Sequence, residues 1–104
     1  MSATLAELLA AAAGRTKDVE VRGIPVRIRE LTIAGREAFL DAHQHGPARA
    51  VIAVVRHGVV DTLGRPLFDE TSLAQLEECS ADFLQELSRQ VLELSGLGTS
   101  SGNE

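Results

Sequence analysis

The sequence predicts an α+β fold, mostly α, with an N-terminal β-hairpin packed against a small bundle of four to five helices. Three observations predict it. Apolar and charged residues alternate between Val19 and Leu31, the period of a half-buried strand pair. Leucines recur at three- and four-residue steps in Thr4–Ala13, and apolar residues do so again in Phe83–Leu94, the period of a helix. Hydroxyl residues, prolines and glycines punctuate the chain between these segments where short helices would start and stop.

The first helix is expected over residues 4–13. Thr4 can cap it, Glu7 completes a capping-box pattern, and Gly14 can end it. Leu5, Leu8 and Leu9 share one face, and a helix this short is marginal in water unless that face finds a partner. The segment does not read as a signal peptide. No basic residue precedes the apolar stretch, and Glu7 interrupts it.

Val19, Val21, Val26 and Ile28 form the apolar face of the hairpin, with a turn at Gly23-Ile24-Pro25. Glu20 set against Arg27 or Arg29 would pair opposite charges on the other face. A two-stranded hairpin is unstable alone, so helices must cover it. Thr32 is a natural N-cap for a helix running toward His43. His45-Gly46-Pro47 breaks that helix, and Pro47 starts a nearly all-apolar one that Gly58 ends. Residues 59–68 read as a loop with a tight turn around Gly64. Ser72, with Gln75 three residues on, opens a short helix, and Ser80 caps the last one.

Length suits one domain: residues 1–97 as a single unit, followed by a flexible tail of linker composition over residues 98–104. With 44% hydrophobic and 24% charged residues the chain resembles an ordinary globular protein and not a disordered one. No apolar run is long enough to span a membrane. The net charge of −5 is uneven: residues 15–36 carry a net +3, and residues 37–104 a net −7. One short basic segment already interleaved with acids argues against nucleic-acid binding, and three Phe with no Tyr or Trp leave little for base stacking.

The sequence offers no enzymatic chemistry. His43, His45, His57 and Cys79 match no zinc spacing, Gly58 and Gly64 belong to no phosphate loop, and no nucleophile elbow is present. No catalytic residue, metal or cofactor is expected, and the lone Cys79 fits a reducing cytoplasm. What remains is a surplus of apolar helical faces. Leu5, Leu8 and Leu9 on one helix, and Phe83, Leu87, Val91 and Leu94 on another, are the candidate partner-binding residues.

Three blocks, in order, carry a resemblance. They are Val26-Arg27-Ile28-Arg29-Glu30-Leu31-Thr32 leading into Ile33-Ala34-Gly35-Arg36-Glu37, then Asp61-Thr62-Leu63-Gly64-Arg65-Pro66-Leu67-Phe68, then Leu92-Glu93-Leu94-Ser95-Gly96-Leu97. Over residues 17–97 the chain resembles the tail assembly chaperones of long-tailed bacteriophages. The N-terminal Ala/Leu-rich helix has no counterpart in that pattern. The resemblance implies a protein of the host cytoplasm that is absent from the mature virion. Such a protein binds the tape measure protein and keeps it soluble, without ATP, until tail tube subunits polymerise around it. It also implies a tail tube protein as a second partner, through a longer frameshifted product. Self-association into a homo-oligomer is compatible with the sequence, which does not set the oligomeric state. A structural reading competes with it: a tail-completion or head–tail connector protein retained in the virion.

If the hairpin face is assigned correctly, Ile28→Asp buries an unpaired charge and costs several kcal/mol. Thermal denaturation measures it, and an unchanged midpoint would place Ile28 on the solvent side.

Overall fold

The computed structural model describes residues 2–12, 14–69 and 72–97, so the tail expected over residues 98–104 lies outside the described residues. In chain order the elements are α1 (Leu5–Ala11), β1 (Thr16–Val21), β2 (Ile24–Arg29), α2 (Ile33–His43), α3 (Pro47–Gly58), β3 (Val59–Val60), α4 (Leu73–Glu77) and α5 (Ala81–Leu94). The fold is mostly helical α+β, with an antiparallel hairpin and a third short strand in the order β1-β2-β3.

The hairpin turns earlier than its proline suggests. Arg22 and Gly23 form the two-residue connection, both left-handed, with φ of 54° and 77°. Ile24 and Pro25 therefore belong to β2, and Pro25 faces Glu20 across the strands. This register sets Val19 opposite Val26 and Val21 opposite Ile24. Val21 and Ile28 are buried, while Val19 and Val26 pack at the margin of the core. On the other face the ion pair is Asp18 with Arg27, at 2.8 Å, in place of the pair expected for Glu20. The Arg27 guanidinium holds the Asp18 carboxyl below its usual range.

Val59 and Val60 leave the loop predicted for them and pair with Ile28 and Arg27 as β3. Both are buried. Leu67 N–H donates to the Val59 carbonyl at 3.0 Å, so the chain folds back on the new strand immediately. Within that return, Asp61 Oδ1 accepts from the N–H groups of Leu63 and Arg65, and Gly64 sits at φ 81°. These backbone donors, Arg65 N–H first, lower the Asp61 pKa.

Three of the expected caps form. Thr4 and Glu7 make a reciprocal capping box, Thr32 Oγ1 accepts from Gly35 N–H, and Ser80 Oγ accepts from Phe83 N–H. Ser72 does not cap α4; its hydroxyl lies 3.3 Å from Asp69 instead.

Helix α3 is the centre of the packing, with α2 on one side and α5 on the other. Its Ile52, Val54 and Val55 join Leu76 of α4 and Leu84, Leu87 and Val91 of α5 in one cluster that reaches Ile28 and Val59. Two glycines permit the close approaches. A Cβ on Gly58 would lie 2.5 Å from Val91 Cγ1, and one on Gly35 would lie 3.1 Å from His57 Cβ and from Leu31 Cδ2. The C-terminus of α5 is then tied to the start of the fold. Ser95 Oγ accepts from Leu31 N–H and donates to the Val91 carbonyl, both at 2.8 Å. Arg36 donates to the Ser95 carbonyl and Arg15 to that of Leu94, which places two cations at the negative end of the helix.

Gly58→Ala is expected to destabilise the protein by about 1–3 kcal/mol, because the β-branched Val91 has little rotamer freedom with which to yield. A second change, Val91→Ala, should recover part of that loss in a double-mutant cycle followed by denaturant unfolding.

Stability should also fall in mild acid. Burial, then the nearby Arg56 and Arg29, lower the His57 pKa from 6.5 in the folded protein. The unfolded chain therefore binds more protons in this window, so the contribution of His57 is intact above about pH 6.5 and declines as pH falls toward the folded value. His57→Gln should flatten the thermal midpoint over that interval.

Candidate functional site

The residues expected to bind a partner divide into two groups. Leu5, Leu8 and Leu9 stand on a helix that buries none of its residues, and they are 72%, 58% and 62% exposed. The capping box closes the first turn of α1, and Glu7 near its N-terminus is its sole charge. The α1 leucines thus present an apolar stripe to solvent.

The α5 face differs. Leu87 and Val91 are fully inside the core, and Phe83 and Leu94 are half-buried against it. The two central residues are not an open surface, which corrects the expectation for this helix. The reason is spatial: α5 packs on α3 and on both β1 and β2, so its apolar stripe is taken into the cluster that holds Ile28, Val55 and Val59. Of the four, Phe83 and, at its buried base, Leu87 line a surface feature.

That feature is a groove of ≈ 470 Å³ at the hairpin-turn end of the sheet, which sequence reasoning missed. Ile24, Pro25 and Val26 form one wall, Leu67 and Phe68 another, and Phe83 lies at the α5 side. Ile24 and Leu67 are more than half exposed. Extending the two-residue period back from Ile28 through Val26 reaches Ile24. The pair Leu67-Phe68 directly after a turn was the other available signal.

Charge around the groove is ordered. Arg27 donates to Asp18 and to the Thr62 carbonyl. Asp61 is occupied by its own turn and by Arg65, 3.8 Å away. Arg22 stands over the Phe83 ring, 5.6 Å from its centroid, and its Nη2 reaches Ser80 Oγ at 3.3 Å.

The histidines and the thiol are dispersed. His43 stacks on Phe39 with ring centroids 5.9 Å apart, His57 packs beneath Gly35, and the exposed Cys79 thiol donates to the Gln75 carbonyl. Among the described residues no three of His, Cys, Asp and Glu come together as a metal site. No helix among them is long and apolar enough to cross a membrane. What the groove and the α1 stripe present is apolar surface, with Arg22 and Arg27 beside the groove.

No protein-family model and no curated protein matches the sequence. Among solved structures, the fold is similar to that of the bacteriophage HK97 tail assembly chaperone, with a TM-score of 0.62 and 24% sequence identity. The similarity covers 86% of this chain and 95% of that one. The chain has the fold of a phage tail assembly chaperone.

Proposed function

We propose that this protein is a phage tail assembly chaperone. In the host cytoplasm it binds the tape measure protein and holds it soluble without ATP until tail tube subunits polymerise around it. The shared fold over 86% of the chain is the observation that carries this reading. The exposed Leu5, Leu8 and Leu9 support it, because a holdase needs apolar surface its own core does not consume.

Residues 1–97 act as one unit, and a longer frameshifted product would carry its own contact to tail tube protein. Binding is stoichiometric and release comes through competition by tube subunits. Each leucine contributes about 1.5–3 kcal/mol when fully buried, less the cost of ordering α1, so the contact is reversible. The chain leaves before the particle is complete.

Co-expression tests the proposal. The tape measure protein should be soluble with this chain and insoluble without it, in the absence of added nucleotide, with little dependence on salt. Replacing Leu5, Leu8 and Leu9 together by Ser should reduce solubilisation while circular dichroism of the domain is unchanged, since none of the three supports the core. Equal solubility with and without the chain, or its recovery from purified virions by mass spectrometry, would favour the tail-completion or connector role instead.

A further inference from the structure

Arg22 occupies a position that its chemistry disfavours. The first residue of a two-residue hairpin turn with φ of 54° is normally Asn, Asp or Gly, because a larger side chain crowds the backbone there. Among the described residues Arg22 has the sole non-glycine positive φ. Nothing in the hairpin itself requires a guanidinium. Its side chain instead crosses to α5, over Phe83 and against Ser80, at the margin of the apolar groove.

The charges beside that groove are not equivalent. Arg27 is matched by Asp18, and Asp61 is matched by Arg65 and by its own turn. No carboxylate among the described residues pairs with Arg22, which leaves one cation beside an apolar trough formed by Ile24, Val26, Leu67, Phe68 and Phe83. Backbone strain at Arg22 and the lack, among the described residues, of a carboxylate beside its guanidinium are separate observations, and they point to the same place.

We infer that this groove is a docking site for an amphipathic helix of the partner, one that carries a carboxylate beside its apolar stripe. The apolar side chains of that helix fill the trough between β2 and Leu67-Phe68. Its carboxylate draws the Arg22 guanidinium from Ser80 into an ion pair, while Phe83 remains as the floor. The inference rests on the function proposed above and assigns a surface to it, at the opposite end of the hairpin from the one that α1 precedes.

The test uses the full chain with its tape measure protein and with synthetic peptides tiled across that protein. Arg22→Asn should leave the thermal midpoint unchanged or raised, since Asn suits the left-handed position, yet weaken binding of the responsive peptides about fivefold. Arg22→Glu should weaken it further. Ile24→Asp and Leu67→Asp, at exposed positions, should abolish peptide binding in folded protein. The responsive peptides should be acidic beside their apolar positions. Wild-type affinity in the Asn, Ile24 and Leu67 variants would overturn the groove assignment while leaving the chaperone reading intact. So would responsive peptides that are basic, or a groove whose mutation abolishes self-association in sedimentation and spares peptide binding. Failure of the wild-type chain to hold the tape measure protein soluble would remove the chaperone reading and this assignment with it.

Discussion

The point on which the fold depends is the contact of Gly58 with Val91. Helix α3 ends there, and the chain enters the sheet at the very next residue, Val59. A side chain at Gly58 would push α3 away from α5 and carry Val59 out of register with Ile28, which is fully buried beneath it. One helical turn beyond Val91, Ser95 fastens the corner at Leu31, where β2 passes into α2. A single turn of α5 thus touches the end of α3, the end of the hairpin and the start of α2. Sheet and helices are assembled around it together.

Much of this architecture could be read in the sequence, for reasons that are local. Capping at Thr4, Thr32 and Ser80 depends on residues three apart, and the proline and glycine that bound α3 act within one turn. Alternation in the hairpin was equally visible, and Val21 and Ile28 lie where it puts them. What was hidden depends on distant chain. Val59 and Val60 are too short a run to announce a strand, and they become one because β2 offers an open edge. The turn falls at Arg22-Gly23 because it must match the twist of the strands, although Pro25 is the stronger punctuation mark.

The candidate site shows the same division. An amphipathic helix reports that it has an apolar face, never which surface that face will meet. By pattern α1 and α5 look alike; in space α5 is consumed by the core and α1 is not. The groove was less legible still, since its walls come from β2, the segment after β3 and α5, three stretches that are not adjacent in the chain. Its cation was visible in the sequence only as one arginine among six basic residues between positions 15 and 36.

Among the described residues the first strand lies at the edge of the sheet, and the backbone groups of Thr16, Asp18 and Glu20 face away from β2. An open strand edge invites any extended chain to add to it. For a protein whose proposed task is to shelter an aggregation-prone client, such an edge would be a hazard: the guardian could itself seed the deposit. Three charged residues among its six make that pairing unfavourable, because a like strand laid alongside would bring charges together with no core to reward it. Resistance of such a complex to aggregation would in this sense be written into β1, in side chains that make no part of the core.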